Sequence, residues 1–303
     1  MSIWNDISWA TGLRTPFFNV FFETITLMGY PLFLILFLCF GYFALGSKRF
    51  FYTAMLLLFT GLANSLLKDL GQDPRPDAVF ALDDRVSTSY GWPSGHMQVA
   101  IVLWGYLAYT MQQKWAVWAA VIFIGLQGFS RLYLGVHDLG DVFAGLVFGL
   151  MCLYGFLAAM RHPRISDGLA RLSLTQGATL MLVWHGVFLL LYPRHEGHDV
   201  SYWFTGLMLG WYIGWRLVAR QEVTLPGAKP VQLAVAGGLT GLCFIAMMVT
   251  TRLASRLGMD EGLVGALANY ASGAAFGIFV IWALPRLVTG LTAGLSSRRQ
   301  SGA

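Results

Sequence analysis

Long apolar runs, separated by short polar segments, dominate this chain. Several runs reach or exceed about 18 residues, close to the roughly 20 that cross the hydrocarbon core of a bilayer as a helix. They are too continuously apolar for the alternating strands of a membrane barrel. The pattern therefore predicts an all-α integral membrane helical bundle with about nine transmembrane helices. The predicted spans cover residues at about 30–46, 50–70, 94–111, 115–134, 138–160, 173–192, 200–219, 231–250 and 263–284.

The first 27 residues have a different pattern. Polar residues and a proline interrupt them at Asp6, Arg14, Pro16 and Glu23. An amphipathic segment of this kind is typical of a helix that lies in the membrane interface. We therefore predict an interfacial N-terminal helix at 1–27.

Composition agrees with the membrane prediction. Hydrophobic residues make up 56% of the 303 residues and charged residues 12%, against about 25% charged in soluble domains. The net charge of +5 is not gathered into basic blocks, so we predict no nucleic-acid partner. Cys39, Cys152 and Cys243 lie inside apolar runs, which favours small buried hydrophobes over a disulfide or a metal site.

The distribution of charge predicts the orientation. Of the 20 basic residues, twelve fall in one set of alternate loops together with only two of the 15 acids. The positive-inside rule places that set in the cytoplasm. The C-terminus is then cytoplasmic, and the loop at 71–93 faces the opposite side. The twelve are Lys48, Arg49, Lys114, Arg161, Arg164, Arg171, Arg216, Arg220, Lys229, Arg286, Arg298 and Arg299.

The opposite face collects polar residues at the helix ends. Ionisable groups at membrane depth are costly, so they are functional candidates. Lys68, Arg75 and Arg131 can neutralise a phosphate dianion, with arginine binding it as a bidentate fork. Ser94 adds a hydroxyl and free N–H groups at a helix N-terminus, and Gly95 allows close approach of the backbone. The predicted phosphate-binding set is Lys68, Arg75, Ser94, Gly95 and Arg131.

Two histidines and a carboxylate complete the predicted site. His137 and Asp141 are spaced i, i+4, which places both on one helix face. A carboxylate on one imidazole nitrogen fixes the tautomer and makes the other nitrogen a better nucleophile. His96 then serves as the general acid. For the neighbouring Asp138 we predict a helix cap.

Three motifs in this region resemble those of the type 2 phosphatidic acid phosphatase (PAP2) family. Residues 68–76 read KDLGQDPRP, residues 93–96 read PSGH, and residues 130–141 read SRLYLGVHDLGD. The resemblance covers roughly 28–160. It implies a metal-independent, cofactor-free lipid phosphatase in which His137 forms a phosphohistidine, Asp141 orients it, and His96 protonates the departing lipid hydroxyl. Together with the hydropathy pattern, it predicts four parts: an interfacial helix at 1–27, a PAP2-like catalytic transmembrane core at 28–164, additional transmembrane helices at 165–286 and a polar cytoplasmic tail at 287–303.

The partner implied by the resemblance is a lipid phosphate in the membrane. Phosphatidate, undecaprenyl diphosphate, phosphatidylglycerophosphate and sphingoid-base phosphates all present a suitable phosphoryl group. The motifs also suit a lipid phosphotransferase, and a non-enzymatic lipid-binding or transport protein is a further alternative. We expect a bacterial inner membrane with the active site facing the periplasm. The sequence does not indicate the oligomeric state or the role of the C-terminal half.

Overall fold

The computed structural model describes residues 4–45, 47–86, 89–191, 198–219, 229–258 and 262–301. These residues form helices, turns and loops, and no β-strand occurs among them. The helices, in chain order, are α1 Ser8–Thr11, α2 Pro16–Leu27, α3 Pro31–Ala44, α4 Ser47–Gly71, α5 Gly95–Met111, α6 Lys114–Tyr133, α7 Leu139–Arg161, α8 Pro163–Arg171, α9 Leu174–Leu191, α10 His198–Ala219, α11 Pro230–Arg256, α12 Gly262–Ile278 and α13 Leu284–Ser301.

Each predicted span coincides with a helix, from α3 to α7 and from α9 to α12. Among the described residues, six helices are long and apolar enough to cross a membrane, or seven if α2 and α3 form one broken span. The chain is therefore an all-α integral membrane protein. The count of nine spans stays a prediction.

The segment predicted as a polar tail, 287–303, is helical as far as Ser301, and its place in the cytoplasm stays a prediction. A short π-helical segment, Phe279–Ala283, leads directly into α13, which continues to Ser301. The last candidate span accordingly runs to Thr292. The physical reason is that Leu284 and Val288, spaced i, i+4, are both fully buried, so the helix keeps an apolar stripe beyond the predicted boundary.

Two compact units make up the chain. The first comprises Met1–Phe33, Phe59–Arg171 and Phe188–His198, and the second comprises Leu34–Leu58, Leu172–Val187 and Asp199–Ala303. This division groups residues 34–58 with the C-terminal helices. The predicted catalytic core at 28–164 instead includes residues 34–58. The division does not test which residues serve catalysis, so the predicted domains stay predictions.

In the first unit, α5 packs against both α6 and α7. Two glycines allow the approach of α7, because a Cβ at Gly145 would lie 2.6 Å from the Ser94 carbonyl oxygen and one at Gly149 would lie 2.9 Å from Ile101 Cβ. Bare backbone at these positions lets the helices close on each other. As a result, the start of α5 and the start of α7 lie side by side.

The N-terminal segment packs on α6 in the same unit. The Phe22 ring lies 4.5 Å from the Tyr133 ring, and the Arg14 guanidinium donates to the carbonyl oxygens of Tyr133 and Phe80. Thr15 caps α2 by accepting from the Phe18 N–H. This segment is therefore part of the first unit, while its placement in the membrane interface stays a prediction.

In the second unit, α10 and α12 meet through small residues. A Cβ at Gly210 would lie 2.1 Å from the Ala274 carbonyl oxygen, and one at Gly277 would lie 2.6 Å from the Trp211 nitrogen. The glycine patterns at 210–214 and 273–277 thus serve packing within the chain.

Candidate active site

The predicted site residues come from five places in the first unit. Lys68 lies in the last turn of α4, Arg75 in the loop that follows it, and Arg131 in the last turn of α6. Ser94 is the N-cap of α5, with Gly95 and His96 directly behind it, and His137 and Asp141 flank the start of α7. A cavity of about 200 Å³ lies where these elements meet. Six of the eight predicted residues line it, namely Lys68, Arg75, Gly95, His96, Arg131 and His137.

Ser94 and Asp141 lie behind the cavity wall. Both are almost fully buried, and the Ser94 N–H donates to the Asp141 carbonyl oxygen at 2.9 Å. This bond ties the start of α5 to the first turn of α7. The Ser94 hydroxyl oxygen is buried with no hydrogen-bond partner among the described residues.

His137 is held by a carboxylate on one side and a guanidinium on the other. Its Nδ1 lies 2.8 Å from Asp141 Oδ2, and its Nε2 lies 3.2 Å from Arg75 Nη1. A guanidinium only donates hydrogen bonds, so Nε2 accepts and Nδ1–H donates to Asp141. The lone pair of Nε2 therefore points toward the Arg75 guanidinium at the cavity, and Nε2 is unprotonated, as nucleophilic attack would require.

Asp138 caps the helix that carries this pair. Its side chain accepts from the Asp141 N–H at 2.9 Å, and the Asp141 carboxylate accepts from the Asp138 N–H at 3.3 Å. This reciprocal capping box confirms the predicted cap. It also holds the Asp141 carboxylate in place beside His137.

Burial and neighbouring cations lower the pKa of His137 well below its usual 6.5. The cations are Arg75, Arg131 and Lys68, in order of decreasing effect. The imidazole is therefore neutral at physiological pH. Burial, followed by the proximity of Arg131, lowers the pKa of Arg75 to about 10, which leaves this guanidinium charged at neutral pH.

The three predicted cations are anchored in different ways. Lys68 Nζ donates to the carbonyl oxygens of Tyr90 and Gly91. Arg75 Nε donates to the Ser89 carbonyl oxygen at 2.8 Å. These bonds fix Lys68 and Arg75 to residues 89–91, of which Ser89 lines the cavity.

Arg131 is the most deeply buried of the cations. Its side chain is 1% exposed, and Nη1 donates to Asp83 Oδ2 at 3.0 Å and to Thr26 Oγ1. Its Nε is buried without a hydrogen-bond partner among the described residues. A buried, unused donor on a cavity-lining arginine suits an anionic oxygen.

His96 is held by packing. Its ring lies 4.7 Å from the Tyr30 ring, edge to face. Its Nε2 is buried and has no hydrogen-bond partner among the described residues. This nitrogen is therefore available to bond a group that enters the cavity.

The sequence-based set omits five cavity-lining residues: Tyr30, Asn64, Arg85, Val86 and Ser89. Asn64 had a signal, because it lies one helical turn before Lys68 on the same face of α4. It donates to the Pro93 carbonyl oxygen and to Gln98, and so supports the start of α5. No sequence pattern indicated Tyr30, because the residues that it contacts lie far away in the chain.

Asp83, also missed, links three of the residues around the cavity. Its two oxygens contact Arg85 Nε at 2.8 Å, Arg131 Nη1 at 3.0 Å and the Tyr30 hydroxyl at 2.7 Å. Burial opposes ionisation, but the hydrogen bonds from Tyr30 and Arg85 and the charge of Arg131 hold the pKa of Asp83 below its usual value. The carboxylate therefore stays ionised and binds both arginines.

Comparison with known proteins identifies the family. The model of the PAP2 superfamily matches residues 49–164. Phosphatidylglycerophosphatase B of Bacillus subtilis is 30% identical over 162 residues, which cover 48% of this chain and 76% of that protein. The chain belongs to the PAP2 superfamily. All three predicted motifs lie within the matched residues.

Other PAP2 relatives differ in their substrates. The lipid A 4'-phosphatase of Bacteroides thetaiotaomicron is 26% identical over 46% of this chain and 68% of its own length. Sphingosine-1-phosphate phosphatase 2 of Mus musculus is 28% identical over 50% of this chain and 44% of its own. A crystal structure of a PAP2-type phosphatidylglycerolphosphate phosphatase from Bacillus subtilis matches half of the chain and 82% of that structure, with 26% identity and a TM-score of 0.44.

The PAP2 relatives are named as phosphatases. The chain is accordingly assigned with them to the hydrolases of phosphoric esters.

Proposed function

We propose that the chain is a lipid phosphatase that hydrolyses a lipid phosphate monoester or diphosphate through a phosphohistidine on His137. The observation that carries the proposal is the arrangement of the His137 ring. Nδ1 lies 2.8 Å from Asp141, and Nε2 lies 3.2 Å from Arg75 at the cavity. This arrangement leaves the unprotonated nitrogen of His137 at the cavity, beside a cation that can hold a phosphoryl group.

The first step forms the phosphohistidine. Nε2 of His137 attacks phosphorus, and the bond from phosphorus to the lipid oxygen breaks. The proton on Nδ1 remains shared with Asp141, which stabilises the positive charge that develops on the ring. His96 donates a proton to the departing oxygen, so that a monoester releases a neutral alcohol and a diphosphate releases the lipid monophosphate.

The second step reverses the proton transfer. His96, now unprotonated at the same nitrogen, takes a proton from water as the water oxygen attacks phosphorus. The bond from phosphorus to Nε2 breaks, and inorganic phosphate and neutral His137 are formed. Arg75, Arg131 and Lys68 stabilise the charge on the phosphoryl oxygens in both steps.

The substrate is proposed at the level of its phosphoryl group. Relatives named for phosphatidylglycerophosphate, lipid A and sphingosine-1-phosphate favour an amphiphilic phosphate whose lipid part stays in the membrane. The charge distribution of the loops supports a site that faces away from the cytoplasm. In a bacterial inner membrane, this side is the periplasm.

The deciding experiment measures phosphate release by the purified full-length chain in detergent with EDTA present. The substrates are phosphatidate, phosphatidylglycerophosphate, undecaprenyl diphosphate and sphingosine-1-phosphate. We expect release from at least one lipid, and a fall of roughly 10³-fold or more in His137→Ala, because that variant lacks the nucleophile. His162→Ala, which alters an exposed histidine at the end of α7, is the matched control.

The other outcomes separate the alternatives. Full activity in His137→Ala contradicts the phosphohistidine. Release that appears only when an acceptor lipid is added, with the phosphate found on that lipid, identifies a phosphotransferase. Tight binding of lipid phosphates with no turnover identifies a lipid-binding or transport protein.

A further inference from the structure

We propose that Gly29 and Tyr30 position the general acid His96, so that the N-terminal segment contributes to the active site. Both residues lie between α2 and α3, outside the three motifs and outside residues 49–164 that match the family. The inference rests on the proposed function, because it takes His96 as the acid.

The first observation is the way in which His96 is held. His137 has a carboxylate that fixes its ring. The Nε2 of His96 has no such partner among the described residues. The direction of this nitrogen is therefore set by what packs against the ring.

Gly29 supplies one of these contacts through its bare backbone. A Cβ at Gly29 would lie 2.2 Å from Cδ2 of His96 and 2.6 Å from Nε2 of Gln127. Distances this short force a neighbour to move. Gln127 is 2% exposed and cannot give way into solvent, so any side chain at Gly29 displaces the imidazole.

Tyr30 supplies the second contact. Its ring packs at 78° to the imidazole, with the centroids 4.7 Å apart. Its hydroxyl donates to Asp83 at 2.7 Å, and the Arg85 guanidinium lies 4.9 Å from its ring centroid. Tyr30 is thus fixed by the carboxylate that also binds Arg131, which couples the position of the acid to the position of a phosphate-binding cation.

The chemistry gives this contact a measurable consequence. A general acid must lie within hydrogen-bond distance of the leaving oxygen, and a misplacement of about 1 Å costs roughly 10²-fold in rate. An alkoxide is strongly basic and needs the proton, whereas a nitrophenolate leaves without one. Loss of the acid therefore slows alkyl phosphates selectively.

The test compares two amphiphilic monoesters in one detergent, dodecyl phosphate and a nitrophenyl phosphate that carries the same dodecyl chain. For Gly29→Ala we expect kcat/KM, which covers the steps up to release of the alcohol and excludes the later attack of water, to fall by about 10- to 100-fold on the alkyl ester and by less than about 3-fold on the aryl ester. His96→Ala defines the pattern for loss of the acid. Gly125→Ala is the matched control, because a Cβ there meets no atom within 4 Å.

Tyr30 variants give an independent readout. Tyr30→Leu removes the ring contact and should reproduce the selective loss. Tyr30→Phe retains the ring and should recover much of what leucine loses. If Gly29→Ala does not fold, this pair decides the question.

Two results overturn the inference. One is an equal loss on both esters, which marks a general structural role, and the other is no loss on either. Both are read only against His96→Ala. If His96→Ala lowers kcat/KM equally on both esters, the assignment of His96 as the acid fails, and the proposed function fails at that step.

Discussion

At the scale of single residues, the charge state of His137 governs the chemistry. A phosphohistidine can form only from the unprotonated imidazole. Burial and the cations Arg75, Arg131 and Lys68 lower its pKa below 6.5. The reactive form therefore persists as the pH falls below 6.5 and is lost only when the pH passes through the lowered pKa.

The downward shift in the pKa of His137 leads to a prediction for Arg75→Gln. The substitution removes the cation with the largest effect on His137, so the pKa rises toward its usual value. We expect the acid limb of kcat/KM to move to higher pH, with a fall in the plateau of roughly 10- to 100-fold from lost phosphate binding. The measurement is kcat/KM between about pH 4 and pH 8, which reports the free enzyme.

Arg161→Gln provides the control for this profile. Arg161 lies at the far end of α7 and is exposed, so its loss should leave the acid limb in place. An acid limb that stays fixed in Arg75→Gln, or that lies above pH 6.5 in the unaltered protein, contradicts the electrostatic account.

The sequence was informative about this part of the site because the relevant contacts are local or belong to motifs. The i, i+4 spacing of His137 and Asp141 predicted a pair that lies 2.8 Å apart, and Asp138 caps the helix as expected. The sequence analysis did not select Tyr30 or Asp83. These two residues bond to each other but lie 53 residues apart in the chain, and no periodicity or spacing rule predicts such a contact.

At the scale of elements, glycines decide how closely the helices approach. The contact between α10 and α12 depends on the absence of a side chain at Gly210, because a Cβ there would lie 2.1 Å from the Ala274 carbonyl oxygen. That atom is backbone and cannot move aside without shifting a whole helix. The sequence shows the glycine spacing on α10. It does not show that α12 is the helix packed against it, because a small-residue pattern predicts close packing without indicating which helix is the partner.

We predict that Gly210→Ala destabilises the second unit. Overpacking of this kind costs about 1–3 kcal/mol, and the midpoint of thermal unfolding in detergent should fall by roughly 5 °C or more. Gly237→Ala on α11 is the control, since a Cβ there meets nothing within 4 Å. Alanine is the better helix former, by about 1 kcal/mol, so this variant should unfold at the same or a higher temperature.

The measurement is circular dichroism at a helical wavelength during heating, on both variants in the same detergent. Equal midpoints for Gly210→Ala and Gly237→Ala would show that the close contact between α10 and α12 does not govern unfolding. A lower midpoint for both would point instead to a general intolerance of alanine.

At the scale of the whole molecule, the orientation in the membrane determines which lipids can reach the site. Twelve basic residues lie on the side predicted to be cytoplasmic, together with only two acids. The cavity is lined by residues of the loop at 72–94 and by the ends of α4 and α6 and the start of α5, on the opposite side. Hydropathy predicted the long apolar helices, because that signal is local and strong. The number of transmembrane spans depends on whether short helices such as α3 and α5 cross the membrane, and the length of these helices alone does not decide that.

Single cysteines test the orientation directly. Val79 lies in the loop at 72–94 and is 77% exposed, and Gly168 on α8 has no atom within 4 Å of an added Cβ. With the chain in a bacterial inner membrane, we expect a membrane-impermeant maleimide added to spheroplasts to label Val79→Cys at once. Gly168→Cys should be labelled only after permeabilisation, because the basic loops that flank α8 are retained in the cytoplasm. The unaltered protein, whose cysteines Cys39, Cys152 and Cys243 are buried or partly buried, sets the background.

The reverse labelling pattern would place the cavity on the cytoplasmic side, and the substrate would then be a phosphate made and consumed on the inner leaflet. Labelling of both positions without permeabilisation would mean that the number of crossings between them is even, whereas the three helices α5 to α7 imply an odd number.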